Sequence, residues 1–249
     1  MPEGDVLHRI AASMQVLVGE RLEAETPHPR AAATGVADAI DGKVLEAADA
    51  LGKNLLLRFE GGVTLRSHLR MSGRWRVQPR GANRTGLPWL VLRGREWEAV
   101  QWNGPVLALD TGAAARLGPD LLGRGVEPAV LVGRLRRVDA RCLLGEALLD
   151  QRVISGIGNM WMAEALWQAR LSPWLPVGEA SDDELTSTLS WAQRMMRASV
   201  EGTRAIRSVY RRAGRPCPRC GARILSLGLG DDNRTAYWCG RCQRGPDPV

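Results

Sequence analysis

"CPRCGARILSLGLGDDNRTAYWCGRC" occupies residues 217–242. It holds two Cys-x-x-Cys pairs, Cys217/Cys220 and Cys239/Cys242, with 18 residues between them. Each pair can form a tight knuckle that points both sulfurs at one ion, and two such pairs have the spacing of a tetrahedral four-thiolate zinc site. Four thiolates leave no open position, so one structural zinc ion is expected here. The residues between the pairs predict a β-hairpin that turns through Gly-Asp-Asp-Asn. Clustered cysteines in a reducing compartment read as a metal site before they read as disulfides. The fifth cysteine, Cys142, stands alone.

Around this module the composition is basic. Residues 200–249 carry ten arginines and four acidic residues, and so hold most of the net charge of +7. A pI of about 9.8 in a chain of this size points to a polyanionic partner, with nucleic acid first among them. Lysine occurs only at Lys43 and Lys53, which makes those two positions worth inspecting. The arginine excess itself is weak evidence, because GC-rich codon usage produces the same bias.

Upstream of the module the chain reads as helical. "SDDELTSTLSWAQRMMRASVEG" (181–202) opens with capping-box spacing, Ser181 to Glu184, before a periodic apolar run. Residues 129–140, 142–150 and 159–169 predict three further helices. Within "LLDQRVISGIGN" (148–159) one helix ends near Asp150, Gly156 and Gly158 force a turn, and the next helix starts near Asn159. Backbone N–H groups at such a start favour phosphate. A plain helix cap at Asn159 fits the pattern equally well.

The first half is β-rich. Residues 43–77 and 86–110 alternate short apolar runs with Gly-rich turns, which predicts a sandwich or barrel-like domain. Residues 27–34, rich in Pro and Ala, read as a loop. The boundary falls near residues 118–128, giving an N-terminal domain at 1–120, a helical domain at 121–205 and a finger at 206–249. The opening "MPEGDVLHRI" predicts a helix with Pro2 in its first position and an apolar face of Val6, Leu7, Ile10, Met14 and Leu17. No apolar run is long enough to span a bilayer. Glu3 and Asp5 sit where a signal peptide would be basic, so a soluble cytoplasmic protein is expected. No oligomeric signal is visible, and a monomer is the default.

Four motifs in this order, "MPEGD", "LGPDLL", "LLDQRVISGIGN" and "NRTAYWCGRCQ", resemble the formamidopyrimidine-DNA glycosylase and endonuclease VIII family of base-excision repair enzymes. The resemblance covers essentially the whole chain. It implies a two-domain α+β fold: an N-terminal β-sandwich with flanking helices, then a helix–two-turn–helix domain carrying the zinc finger. It implies damaged DNA as partner, no small-molecule cofactor, and a bifunctional glycosylase and AP lyase. The implied nucleophile is Pro2 after loss of Met1, with Glu3 as acid/base partner. Lys53 is implied in phosphate binding and β-elimination, Asn159 and Arg234 in a phosphate clamp, and Arg234 in δ-elimination. Met71 matches the position of a wedge that fills the gap left by the flipped base, the alternative being a core methionine. His68 reads as structural, and His8 and His28 carry no signal.

Two departures bear on the substrate. The 8-oxoguanine-directed branch carries an Arg–Phe pair on a β-loop, and "VQWNGPVLALD" (100–110) has neither. The run from Glu201 into the cysteines is short, whereas that branch inserts a longer loop to cover a flipped purine. Both point to the endonuclease VIII branch and to oxidised pyrimidines, in double-stranded or also in single-stranded and bubble DNA. The rival reading is a catalytically weak or inactive zinc-finger protein that only binds damaged or single-stranded DNA.

Overall fold

A computed structural model describes residues 2–230 and 233–248. The expected loss of Met1 and the acidic pair of the hairpin turn, Asp231 and Asp232, lie outside the described residues. The chain divides into two compact units, Met1–Arg116 and Leu117–Val249.

The first unit opens with α1 (Gly4–Ser13), which runs on into a 3-10 turn at Met14–Leu17. Its N-cap is Glu3, so Pro2 precedes the cap and does not fill the first helical position. The buried face is Leu7, Ala11, Met14 and Leu17; Val6 and Ile10 are half-buried on the flank. Next come β1 (Glu23–Glu25), α2 (Pro29–Ala32) and α3 (Val36–Ile40). The stretch expected as a loop therefore contains a helical turn. His28 caps it by accepting from the Arg30 N–H at 3.2 Å, Pro29 takes the first position, and the His28 ring stacks on Trp89.

Seven strands follow: β2 (Leu45–Leu51), β3 (Asn54–Phe59), β4 (Val63–His68), β5 (Arg74–Pro79), β6 (Leu90–Arg93), β7 (Trp97–Trp102) and β8 (Val106–Leu109). They make two antiparallel four-stranded sheets, ordered β2-β3-β4-β8 and β1-β6-β7-β5. Alternate residues of both sheets, Leu55, Leu57, Phe59 and Leu65 on one and Leu90, Leu92 and Ala99 on the other, meet α1 in one core. Period-2 alternation makes this inevitable once one face of each sheet is covered. The sheets also meet through polar atoms: Trp75 Nε1 and Gln101 Nε2 both donate to the buried Ser67 hydroxyl, at 3.0 and 2.6 Å.

The second unit packs α4 (Pro128–Leu135), α5 (Leu144–Leu149), α6 (Asn159–Ala169) and α7 (Asp182–Val200) around Leu131, Leu148, Trp161, Leu166, Leu189 and Met196. The first two helices are shorter than the sequence pattern suggests. The capping box of α7 is present, with Ser181 Oγ accepting from Glu184 N–H and Glu184 Oε2 accepting from Ser181 N–H. A hairpin of β9 (Leu225–Leu229) and β10 (Arg234–Trp238) completes the unit and adds Leu229, Ala236 and Trp238 to the same core. No helix among the described residues is long and apolar enough to cross a membrane.

Glu98, fully buried in β7, is an ionic centre of the first unit. It accepts from Gln78 Nε2 at 2.8 Å, from Arg84 Nε at 3.0 Å and from the Gly81 N–H at 3.3 Å. Burial pushes its pKa up, but the Arg84 pair and these donors outweigh that and hold it below the carboxylate range. A carboxyl with a depressed folded pKa contributes stability above its unfolded pKa of about 4.3, and loses it as pH falls through the folded value. Glu98→Gln should therefore lower stability at neutral pH by about 1–3 kcal/mol and converge on the wild type in acid. Denaturant titrations across that range measure the difference.

Candidate active site and nucleic-acid interface

In the first unit, local turns set the chemistry-bearing side chains. Gly52 has φ 59° at the first of two turn positions between β2 and β3, the geometry of a II′ hairpin, which leaves Lys53 at the tip. Asn54 pairs in register with His68 on β4. Burial, and then the charges of Lys53, Arg70 and Arg66, push the His68 pKa below its ordinary value, so the ring is neutral at pH 7. Its Nδ1 accepts the Arg70 N–H at 3.1 Å, which leaves the ring proton on Nε2. His68 is thus more than a packing residue: it sits among three cations. Sequence reading missed this, because the cluster forms only through strand register.

Pro2 is half-buried and lines a cleft of 390 Å³, together with Arg9 of α1, Leu69, and Arg74 and Trp75 of β5. Glu3, next to it, is 2% exposed at the start of α1. Met71 is 67% exposed between β4 and β5, which rules out the core alternative. Its turn is tightly held. A Cβ on Gly73 would lie 2.7 Å from the carbonyl oxygens of Leu69 and Asn103, so only glycine fits. Asn103 belongs to the three-residue connection from β7 to β8, where the sequence lacks the Arg–Phe pair.

In the second unit the "LGPDLL" and "LLDQRVISGIGN" stretches hold each other. Ser155 N–H donates to Pro119 O, Leu121 N–H to Ser155 O, and Gly118 N–H to Gln151 O, at 2.8–3.1 Å. A Cβ on Gly118 would stand 2.5 Å from the Val153 carbonyl. The Gln151 side chain donates to Leu149 O and Ile157 O and accepts from the Gly156 N–H, so it closes the turn from inside. Gly156, with φ 101°, needs glycine; Gly158, with φ −120°, is an ordinary extended N-cap.

Asn159 is the first residue of α6, not its cap. Its Nδ2 donates to the Thr235 carbonyl of β10 at 2.8 Å, while its buried Oδ1 has no partner among the described residues. Arg234 is the neighbour of Thr235 and lines a 450 Å³ cleft with Gln151 and Arg152. Asn159 therefore touches the strand at the residue next to Arg234, but is not among the residues that line that cleft.

The four finger sulfurs lie within 4.8 Å of one another, with Cys217–Cys242 at 4.0 Å and Cys220–Cys239 at 3.6 Å. A disulfide would need about 2.05 Å. Four sulfurs about 2.3 Å from one tetrahedral ion stand about 3.8 Å apart, which these separations match. Burial raises the Cys217 pKa, yet N–H donors around the sulfur, among them those of Arg219 and Cys220, outweigh it and favour the thiolate.

Family models cover these parts in turn. The formamidopyrimidine-DNA glycosylase N-terminal domain matches residues 1–115, its H2TH domain residues 117–209, and the zinc finger found in FPG and IleRS residues 214–245. A probable endonuclease 8 2 of Streptomyces coelicolor is 37% identical over 269 residues, covering 100% of this chain and 96% of the relative. The chain belongs to the formamidopyrimidine-DNA glycosylase and endonuclease VIII family. A DNA-(apurinic or apyrimidinic site) lyase of Mycolicibacterium smegmatis is 36% identical over 258 residues, covering 98% and 99% of the two chains. The fold also matches that of the Lactococcus lactis Fpg in a complex with abasic-site DNA, with TM-score 0.82 at 20% identity, covering 98% of this chain and all of that one. The two-domain α+β fold with its C-terminal finger is thus the family's.

A residue of this family member that sequence reading passed over is Glu164. It is 1% exposed on α6 and accepts the N–H groups of Ser208, Val209 and Tyr210 at 2.8, 3.0 and 2.8 Å. The signal was present: "NMWMAEALWQA" is apolar around almost its whole circumference, so its one acid had to be buried and partnered. Glu164→Ala would strand three donors at the entrance to the finger. Unfolding free energy should fall by at least about 2 kcal/mol. Hydrogen exchange at Ser208, Val209 and Tyr210 should accelerate.

Proposed function

We propose that this chain excises oxidised pyrimidines from DNA and cuts the strand at the resulting abasic site. The observation that carries the reading is the half-buried Pro2 in its cleft, with the buried Glu3 beside it at the positive end of α1. The relatives' names, endonuclease 8 and AP lyase, support the reaction class.

Once Met1 is lost, Pro2 carries a secondary α-amine. Such amines titrate near pH 7.7–8.0, against about 10.4 for lysine, so a useful fraction is neutral and nucleophilic. The helix dipole disfavours its protonated form further. The amine lone pair bonds to C1′ of the sugar as the bond to the base breaks. The amine proton passes through Glu3 to O4′ as the ring opens, leaving an iminium. That electron sink acidifies C2′ and permits β- and then δ-elimination. Lys53, with the polar atoms around His68, holds a backbone phosphate in the first unit. Asn159 and Arg234 hold one in the second, where Arg234 also serves δ-elimination. Met71, exposed on its rigid turn, fills the space that the extruded base vacates. The finger cysteines hold a structural zinc ion, which shapes the β9–β10 hairpin and takes no part in the chemistry.

Sodium borohydride should trap a covalent protein–DNA adduct on abasic DNA. Pro2→Gly should weaken trapping strongly, and Glu3→Gln should abolish base release while leaving some lyase activity. No adduct from folded, zinc-loaded protein lacking Met1 would sink the assignment.

Salt tests the clamp. Binding should weaken steeply with ionic strength, and Arg234→Ala should reduce the log–log slope by about one unit. An unchanged slope removes Arg234 from phosphate contact.

A further inference from the structure

Lys53 reaches for its phosphate from a two-residue turn, and a turn lysine ordinarily has many rotamers to lose when it grips a ligand. Strand register decides what stands behind that turn. Alternation sends Leu55, Leu57 and Phe59 of β3 and Leu65 of β4 into the core, and puts Asn54, Arg66 and His68 on the other face of the sheet. Asn54 pairs with His68 and Leu56 with Arg66, so Asn54 and Arg66 are diagonal neighbours, within reach of a long side chain.

Asn54 follows Lys53 directly and is 6% exposed. Its Nδ2 donates across the turn to the Leu51 carbonyl at 3.4 Å, and its Oδ1 accepts from Arg66 Nη1 at 3.2 Å. The Arg66 side chain is itself largely covered, at 24% exposed, and its Nε lies 3.7 Å from an Asp110 carboxylate oxygen. That oxygen also accepts the Ala113 and Ala114 N–H groups, at 3.0 and 3.4 Å, just past the end of β8. A chain of polar contacts thus runs from the backbone after β8, through Asp110, Arg66 and Asn54, to both ends of the Lys53 turn. Guanidinium suits the middle of such a chain, because its planar fork offers separate donors in fixed directions. The charges of Arg66 and Lys53 both bear on His68, which puts the two cations in one neighbourhood.

This inference rests on Lys53 as a phosphate ligand. We propose that Arg66 is a positioning residue for Lys53: through Asn54 it fixes the turn from which the lysine reaches the DNA backbone, and Asp110 fixes Arg66. A contact made from a fixed turn costs less ordering on binding. In this role Arg66 touches no DNA, and its effect on binding passes through Lys53.

A double-mutant cycle on the full, zinc-loaded chain separates this role from general stability and from charge. The probe is a duplex with a tetrahydrofuran abasic-site analogue, which binds and cannot react, and the readout is Kd at fixed salt. Lys53→Ala alone should raise Kd about tenfold. Asn54→Ala should raise it about fivefold with Lys53 present and less than about twofold on top of Lys53→Ala. Arg66→Lys keeps the charge and loses the fork, and should give the same pattern. It decides the matter alone where Asn54→Ala does not fold. A variant that merely loosens the fold raises Kd by one factor in both backgrounds. Equal factors, or wild-type affinity in either single variant, therefore overturn the role of Arg66 and leave Lys53 standing. Lys53→Ala that binds like the wild type overturns the phosphate role of Lys53 and this proposal with it. Wild-type protein that does not bind the duplex overturns the DNA reading itself.

Discussion

The second unit depends on a helix that has no solvent face to spare. In α6, eight of eleven residues are buried, so any polar group on it must find a protein partner or cost stability. Every partner described here is in the finger or the segment that leads to it. Asn159 donates to Thr235 of the hairpin, Glu164 holds the backbone at residues 208–210, and the Trp167 carbonyl accepts from Arg219 at 2.9 Å. The Arg219 guanidinium also lies 4.0 Å from the Trp167 ring centre. The finger is therefore not an appendage clipped on by metal. Its hairpin contributes Leu229, Ala236 and Trp238 to the same core that α6 and α7 share.

The first unit obeys a different constraint. Its core is closed by alternation in two sheets, and that alternation leaves the candidate site residues to the turns and the helix start. A two-residue turn sets Lys53, and a glycine-locked turn sets Met71. A helix start that no side chain caps sets Pro2 and Glu3. Loops that present reactive groups usually gain precision from a rigid scaffold. Here the rigidity is visible as backbone that tolerates no Cβ at Gly73.

Much of this was legible in the chain. The two Cys-x-x-Cys pairs, the capping box at Ser181 and the Gly-punctuated strands are local signals, and local signals survive the move to three dimensions. Long-range placement was not legible. That His68 stands among Lys53, Arg66 and Arg70 follows from the pairing of β3 with β4, which no window of sequence contains. That Asn159 faces the hairpin and not its own helix turn needs a contact 76 residues away. The opening helix shows the limit of local rules in miniature. A proline near a helix start reads as the first helical residue, yet the N-cap is Glu3 and Pro2 lies one residue outside.

What the chain lacks also constrains what it can read. The β7–β8 connection has three residues and places Asn103 at its tip, so it extends no long arm. The run from Val200 to the finger is short and carries no helix or strand before the hairpin. With the β7–β8 connection this short, the rigid polar groups of the first unit are those that its strands and tight turns hold. On β5 one such group is Arg74, whose guanidinium lies 4.8 Å from the centre of the buried Trp102 ring. Where the loops are short, precision in this architecture comes from the strand ends and tight turns that hold each side chain.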